Sequence, residues 1–223
     1  MLYAITDRRL YGADEAARRK RLLELTETWA AQGVAFIQLR EKDLCGRELL
    51  EFARAMVRRL GPESATRLLI NSRPDVALAA GAHGVHLSSA PGALTPQEVR
   101  AIFALAGRTQ APYISVSCHD LEEVAAARRQ RADGILFAPV FEKKIGDRPG
   151  ETLPGVGLEK LAEACRAAAP VPVFALGGVT AKNAPQCRVA GAAGIAAIRL
   201  MQDASTEPVR KAMLDDLHQV GLT

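Results

Sequence analysis

The clearest indication of the fold is the stretch Val171-Pro-Val-Phe-Ala-Leu-Gly-Gly-Val-Thr180. Its first half is typical of a buried strand, and the glycine pair that follows precedes a helical pattern. Paired glycines leave backbone N–H groups uncovered, and a helix start adds a positive dipole end, so this turn suits a phosphate. The alternative is a plain strand-to-helix turn whose glycines only relieve backbone crowding. Late in a series of strand–helix repeats, such a turn is where (β/α)8 barrels usually hold phosphate.

Short apolar runs alternate with longer amphipathic stretches along the chain. The predicted strands are Leu2–Thr6, Val34–Leu39, Arg67–Asn71, Gly84–Leu87, Tyr113–Ser117, Gly134–Ala138, Val171–Ala175 and Ile195–Ile198. The predicted helices include Asp14–Ala31, Gly46–Leu60, Pro96–Ala106, Leu121–Arg131, Leu158–Ala168 and Ala181–Ala190, with a last one over Glu207–Val220. Eight strands, each followed by a helix, indicate a closed (β/α)8 TIM barrel, a single α/β domain over residues 1–223.

Two further features of the sequence support a barrel. An open doubly wound sheet would more often carry a Gly-x-Gly-x-x-Gly turn after its first strand, and the sequence has none there. The segments AAQGVAFIQL, LAAGAHGVHL and RVAGAAGIAAI each place a helix end, a glycine cap and a strand in the same order. The longest predicted loop, Glu142–Val156, follows the sixth strand and so lies on the face expected to hold the site.

The composition suits this fold and excludes several classes of function. Hydrophobic residues make up 48% of the chain and aromatic residues only 4%, so we expect a core of Ala, Val, Leu and Ile. The net charge of +4 comes from scattered arginines, without the basic tract expected of a nucleic-acid binder. No apolar run reaches membrane-spanning length. Four separated cysteines indicate a reducing compartment, so we expect a cytoplasmic protein whose partner is a small anion.

Barrel enzymes carry their chemistry at the C-terminal ends of the strands. In chain order, those ends supply Gln38, Arg40, Lys42, Asn71, Arg73, His86, Ser88, Ser89, Ser117, His119, Lys143, Lys144, Arg148, Gly177, Gly178 and Arg199. This set is rich in hydrogen-bond donors and cations and nearly bare of carboxylates. It suits an anion and offers few ligands to Mg²⁺, which needs carboxylates besides substrate phosphates.

Six segments together carry a resemblance: YAITD, IQLREK, LLINSRPDVALAAGAHGVHL, SVSCHDLEEV, APVFEKK and PVFALGGVTAKN. In this order and spacing, from Tyr3 to about Met201, they resemble the thiamine phosphate synthase/TenI family, and its TenI-like branch more closely. The resemblance implies a TIM barrel of thiamine biosynthesis that binds thiazole phosphate. Because barrels of this family often form dimers, it also implies a homodimer.

The family's synthase branch joins a pyrimidine diphosphate to a thiazole phosphate and releases diphosphate. The resemblance assigns substrate and phosphate binding to Gln38, Arg40, Lys42, Asn71, Ser117, Gly177 and Gly178, and the charges of Lys143 and Arg199 at strand ends add these two as candidates. Arg199 stands where the family usually has Ser. An arginine there would either give the phosphate a bidentate contact or block the pocket, and we favour the contact.

Two carboxylates that bind the metal in the synthase branch are missing from this chain. Ser72 stands in place of the Asp after strand three, and Pro91 in place of the Asp after strand four. Serine does not replace a carboxylate as a ligand for a hard cation. We therefore expect no metal cofactor, with Mg²⁺ required only if the synthase alternative holds and Asp43, Asp75 or Asp147 supplies a displaced ligand.

The TenI-like branch also lacks these carboxylates, and its characterised activity is thiazole tautomerisation, which moves a proton between two ring positions. A histidine of near-neutral pKa suits that work. The branch has a His directly before the Val-Phe of strand six, where this chain has Pro139. The catalytic candidates are therefore His119, His86 and Lys144. The structural alternatives are a helix cap formed by His119, Ser117 or Asp120, and a barrel histidine at position 86 bonded to backbone.

Three functions stay open on the sequence. The favoured one is a TenI-like enzyme, and the alternatives are a thiamine phosphate synthase with an altered Mg²⁺ site and a non-catalytic regulator that binds thiazole or thiamine phosphate. A different phosphosugar barrel enzyme is a weaker fourth. Magnesium-dependent coupling, magnesium-independent aromatisation and binding without turnover distinguish the first three.

Overall fold

The computed structural model describes residues 1–12, 14–144 and 150–203, together with residues 207, 208, 210 and 212. Three of the residues considered above are affected by these limits. Asp147 and Arg148 lie outside the described residues, and for Lys144 the backbone alone is described. Most of the predicted last helix also lies outside them.

Eight parallel strands close into a barrel, as the sequence predicts. The barrel strands are β1 (Leu2–Ile5), β2 (Phe36–Leu39), β3 (Arg67–Asn71), β4 (Gly84–Leu87), β5 (Tyr113–Cys118), β6 (Gly134–Phe137), β9 (Val173–Ala175) and β10 (Gly194–Ala197). Each strand pairs in parallel with the next, and β10 closes the barrel on β1, with Leu2 opposite Ile195. The predicted (β/α)8 barrel is therefore confirmed.

Helices follow the strands on the outside of the barrel. They are α1 (Glu15–Ala31), α2 (Gly46–Leu60), α3 (Pro74–Ala80), α4 (Pro96–Leu105), α5 (Leu121–Arg129), α6 (Gly157–Ala168), α7 (Ala184–Val189) and α8 (Arg199–Gln202), with a 3-10 turn at Arg8–Leu10. None of the helices within the described ranges is both long and apolar enough to cross a membrane.

Two elements differ from the prediction. The predicted loop 142–156 contains a short antiparallel hairpin, β7 (Lys143–Lys144) with β8 (Thr152–Leu153). Helix α7 begins at Ala184, three residues later than predicted. The reason is a turn held by Asn183, whose side chain accepts from the Thr180 N–H at 2.7 Å and donates to the Gly178 carbonyl at 3.1 Å.

The hydrophobic core has two layers. Between the strands and the helices lie mainly aliphatic side chains, as the composition predicts. Inside the barrel the filling is largely aromatic, with Tyr3, Phe36, Tyr113 and Phe174 in contact. The Phe36 and Tyr113 ring centroids are 4.5 Å apart, and the Tyr3 ring lies 5.5 Å from both Phe36 and Phe174. These large rings fill the lower end of the barrel, where the strands begin. The upper end, where the strands finish, remains free for polar side chains.

Gly134 on β6 provides space for this aromatic plug. A Cβ atom at residue 134 would lie 2.5 Å from the Tyr113 Oη atom and 3.3 Å from its ring. Because the Tyr113 ring packs against Phe36, it has little room to retreat. The absence of a side chain at position 134 is thus a packing requirement.

We predict that Gly134→Ala lowers the free energy of unfolding by about 2 kcal/mol, because one added methyl overpacks the barrel interior. Urea denaturation measures this loss. Combining it with Tyr113→Phe, which removes the atom nearest the new methyl, should restore part of the stability. Equal losses in the single and double variants would contradict this account.

Candidate functional site

Four neighbouring strands place polar side chains inside the upper barrel. On β2, Gln38 is 1% exposed and donates from Nε2 to Oδ1 of Asn71 on β3 at 2.8 Å. Its Oε1 atom is buried and has no hydrogen-bond partner among the described residues. A buried acceptor without a partner is costly unless a ligand or water supplies a donor. Gln38 therefore offers a ligand an acceptor, which fits a donor group better than the diphosphate oxygen expected from the sequence.

His86 on β4 continues this row of polar side chains. Its Nδ1 atom lies 2.9 Å from Ser115 Oγ, and its Nε2 atom lies 2.9 Å from Ser117 Oγ. Burial, assisted by the charge of Arg40, lowers the pKa of His86 to about 3. A neutral imidazole with both nitrogens engaged is a poor proton carrier near pH 7. The geometry favours the structural alternative for His86, except that its partners are serine hydroxyls rather than backbone.

Two cations follow β2 at the mouth of the barrel. Arg40 is fixed through its backbone N–H, which donates to the Thr6 hydroxyl oxygen at 3.0 Å. Neither its guanidinium nor the Lys42 ammonium has an ion-pair partner among the described residues. The charge of Arg40, with a smaller effect of burial, lowers the pKa of Lys42. Two unpaired cations that repel one another indicate a place for an anion.

An ion-pair network centred on the buried pair Arg8–Glu41 anchors the segment that carries these cations. Arg8, 5% exposed, donates through its backbone N–H to both Glu41 carboxylate oxygens at 3.1 Å and through its guanidinium to Glu41, Asp43 and Glu15. Residues 41 and 43 thus point toward Arg8, and they alternate with the unpaired Arg40 and Lys42. The sequence analysis missed this network, although a charged residue soon after β1 and carboxylates soon after β2 were visible signals.

A cleft of about 290 Å³ lies between this segment and the end of β3. Its polar lining comprises Glu41, Lys42, Asn71, Ser72 and Arg73. Ser72 is in the left-handed region at φ 55°, a conformation that Asp and Asn adopt more readily than Ser. The backbone at this position would therefore accept the aspartate that the synthase branch carries.

Two of the three displaced metal ligands considered from the sequence are already engaged, and the third, Asp147, lies outside the described residues. Asp43 accepts two bonds from Arg8 at 2.7 and 2.9 Å, and Asp75 accepts two from Arg73 at 2.8 and 2.6 Å. Over the ranges that the structure describes, no group of three or more His, Cys, Asp or Glu side chains is placed to hold a metal ion. The side chains around the cleft therefore do not fit Mg²⁺.

The glycine turn after β9 agrees with both interpretations of the sequence, a phosphate site and a turn in which glycines relieve backbone crowding. Gly177 and Gly178 have φ angles of 90° and 64°. A Cβ at Gly177 would lie 2.7 Å from Pro139, and one at Gly178 would lie 2.7 Å from Phe141, so crowding does require glycine here. No described residue accepts from their N–H groups, which leaves them available to a phosphate. One expectation was wrong: α7 begins six residues after Gly178 and so adds no dipole end directly after the glycine pair.

His119 follows β5 and lies against the residue before Pro139. Its ring Nδ1 is 2.6 Å from the Ala138 carbonyl oxygen, which can only accept, so Nδ1 carries the proton and a neutral ring leaves Nε2 unprotonated. The helix cap is Asp120, whose side chain accepts from the Glu123 N–H. His119 therefore does not cap α5 with its side chain, and it stands near the position of the histidine that this chain lacks.

The remaining predicted residues lie apart from the row of polar side chains on β2 to β5. Lys143 is half-buried on the hairpin strand β7, opposite Leu153. Arg199 is exposed at the start of the four-residue helix α8, directly after β10. No hydrogen bond or ion pair between described residues joins Arg199 to the glycine turn.

These features define a parallel (β/α)8-barrel protein whose strand ends form a cationic, donor-rich site. The family profile described as thiamine monophosphate synthase matches residues 2–201. The chain belongs to this family.

Individual proteins agree with this assignment. The chain is 46% identical over 197 residues to "Putative thiamine-phosphate synthase" of Geobacter sulfurreducens, covering 88% of this chain and 84% of that protein. It is 32% identical over 211 residues to "Thiamine-phosphate synthase" of Koribacter versatilis, covering 95% and 92%. Among solved structures, thiamine phosphate pyrophosphorylase from Pyrococcus furiosus superimposes with a TM-score of 0.76 at 27% identity, covering 100% and 96%. These names favour the synthase alternative over the TenI-like reading.

We predict that Glu41→Gln lowers the free energy of unfolding by about 2 kcal/mol, because buried Arg8 loses one carboxylate but keeps Asp43 and Glu15. It should also weaken binding of inorganic pyrophosphate, since Arg40 and Lys42 lose their anchor. Chemical denaturation and calorimetric titration measure the two effects.

The matched control is Glu27→Gln, which neutralises an exposed carboxylate paired with Arg59. It should change the stability by less than about 1 kcal/mol and leave pyrophosphate binding unaltered. A Glu41→Gln protein indistinguishable from this control would show that the network does not support the mouth.

Proposed function

We propose that this protein is a thiamine phosphate synthase, which joins a pyrimidine diphosphate to a thiazole phosphate and releases diphosphate. The observation that carries the proposal is the pair of cations after β2, Arg40 and Lys42, which have no ion-pair partner among the described residues; Lys42 lines the cleft together with Asn71. The names of the relatives and of the solved structure support the same reaction.

The chemistry requires stabilisation of a leaving group. When the bond between the pyrimidine substrate and its diphosphate breaks, the diphosphate leaves with the bonding electron pair and gains negative charge. Arg40 and Lys42 would hold that charge through charge-assisted hydrogen bonds, with Asn71 as a further donor. The uncovered N–H groups of Gly177 and Gly178 would bind the phosphate of the thiazole substrate.

We further propose that no resident metal takes part. The two positions at which the synthase branch has aspartate carry Ser72 and Pro91, while Asp43 and Asp75 are each bound by an arginine. Fixed side-chain cations would carry out the electrostatic role that a bridging metal ion has in other phosphoryl and diphosphate reactions.

Thiazole tautomerisation is the second candidate, and one observation favours it. His119 has an unprotonated Nε2 atom when neutral and bonds to the residue before Pro139, close to where the tautomerase branch carries its histidine. Aromatisation of the carboxylated thiazole phosphate without metal, lost in His119→Gln, would establish this activity. Formation of thiamine phosphate from the two precursors would establish the synthase activity. Tight binding of thiamine phosphate without turnover in either assay would indicate a non-catalytic regulator.

We predict that Arg40→Gln and Lys42→Gln each lower kcat/KM for the pyrimidine diphosphate by ~10- to 100-fold, the value of one lost hydrogen bond to a charged group. Steady-state assays of thiamine phosphate formation measure this. Lys160→Gln removes the same charge from an exposed side chain that is already paired with Glu163 and should leave the rate unchanged. If all three variants behave alike, the cations at residues 40 and 42 do not bind the diphosphate.

We predict that the double variant Ser72→Asp, Pro91→Asp gains a response to Mg²⁺, with coupling several-fold faster in its presence, because it restores carboxylates at the two positions where the synthase branch has its metal ligands. The left-handed φ at residue 72 suits Asp better than Ser. The unaltered protein should couple its substrates equally well with Mg²⁺ and with excess chelator. Loss of its activity in chelator would refute metal-free catalysis.

A further inference from the structure

A chain of hydrogen bonds runs upward through the interior of the barrel. The Tyr3 hydroxyl lies 3.0 Å from Ser115 Oγ, and Ser115 Oγ lies 2.9 Å from His86 Nδ1. His86 Nε2 then lies 2.9 Å from Ser117 Oγ near the end of β5. Tyr3 and Ser115 have no exposed surface, whereas Ser117 is partly exposed at the mouth. Each link has a direction, because one atom must donate and the other accept.

Counting donors determines that direction. The Tyr3 O–H has one hydrogen-bond partner among the described residues, Ser115 Oγ, so Tyr3 donates to Ser115. Ser115 must then donate its own proton to its second partner, His86 Nδ1. A neutral imidazole that accepts at Nδ1 carries its proton on Nε2 and donates it to Ser117. The opposite direction leaves a buried hydroxyl proton of Tyr3 or Ser115 without an acceptor, which is costly.

We propose that Ser115 is a positioning residue that fixes His86 in the Nε2–H tautomer, so that the Ser117 hydroxyl is directed to donate to the ligand. The ligand part of this proposal rests on the synthase function proposed above. Because Ser117 accepts from the His86 N–H and does not donate to it, the Ser117 proton remains for an acceptor such as a phosphate oxygen or an unprotonated ring nitrogen. Three strands away, Gln38 presents a buried acceptor, so the mouth is matched to a ligand with both kinds of group.

The Tyr3 hydroxyl has its hydrogen-bond acceptor in Ser115, but Tyr3 does not determine which nitrogen of His86 carries the proton. If its hydroxyl were removed, the Ser115 proton would still have His86 Nδ1 as its acceptor, and the direction of the remaining links would not change. Removal of the Ser115 hydroxyl, in contrast, abolishes the preference for an accepting Nδ1. Tyr3→Phe and Ser115→Ala therefore break the same Tyr3–Ser115 hydrogen bond but differ in their effect on His86.

The direct test is ¹⁵N NMR of the histidine side chains of the full-length protein without ligand. Unaltered protein and Tyr3→Phe should both show His86 with a protonated Nε2 and an unprotonated Nδ1. In Ser115→Ala, both nitrogens should shift toward the intermediate values of a tautomer mixture. A protonated Nδ1 in the unaltered protein, or one tautomer common to all three proteins, would overturn the proposal.

Calorimetric titration with thiamine phosphate tests the consequence for binding. Ser117→Ala and Ser115→Ala should weaken affinity by about fivefold, the value of one neutral hydrogen bond, and Tyr3→Phe by less than about twofold. Equal weakening in Tyr3→Phe and Ser115→Ala would mean that Ser115 acts only through stability, which overturns its positioning role. If unaltered protein does not bind thiamine phosphate although His86 has the expected tautomer, the proposed synthase function fails while the assignment of Ser115 as setting the tautomer stands.

Discussion

The interior of a closed barrel is sealed from water, so every inward-facing side chain must be packed or hydrogen-bonded. In this protein the constraint divides the interior in two. Tyr3, Phe36, Tyr113 and Phe174 fill the lower half with rings, and the hydroxyl of Tyr3 begins the polar chain that continues through Ser115 to His86. The polar site at the mouth is therefore built on the aromatic plug, and the direction of its hydrogen bonds begins there.

The charged side chains at the mouth also divide into two groups, those with an ion-pair partner and those without one among the described residues. Arg8 binds three carboxylates, the buried Glu41, the partly exposed Glu15 and the exposed Asp43, and so ties the segment after β2 to the start of the chain. The neighbouring Arg40 and Lys42 have no such partner among the described residues, although carboxylates lie one residue away along the chain. Surface cations usually find partners at little cost, whereas a pair held apart from adjacent acids is preorganised for an external anion.

The sequence was sufficient to predict the barrel, because strand and helix periodicity is a local property repeated eight times. It also placed Gln38, Asn71, His86 and Ser117 on one face, since side chains at the ends of parallel strands meet. It did not reveal what these side chains bond to. His86 and Glu41 bond to Ser115 and Arg8, which come from segments distant in the chain, and this pairing depends on how the barrel strands align. The start of α7 was misplaced because Asn183 forms a local turn instead of continuing the helix.

The conflict between the relatives' names and the missing carboxylates has a physical resolution in the same residues. A metal ion and a fixed cation both neutralise a leaving diphosphate, but a metal ion needs acidic ligands and a fixed cation must be kept away from them. At this mouth Asp43 and Asp75 are each occupied by an arginine, and Ser72 retains a backbone conformation suited to an aspartate that is absent. In the proposed synthase, the arginine partners of Asp43 and Asp75 would neutralise these acids, and Arg40 and Lys42 would bind the diphosphate without a metal.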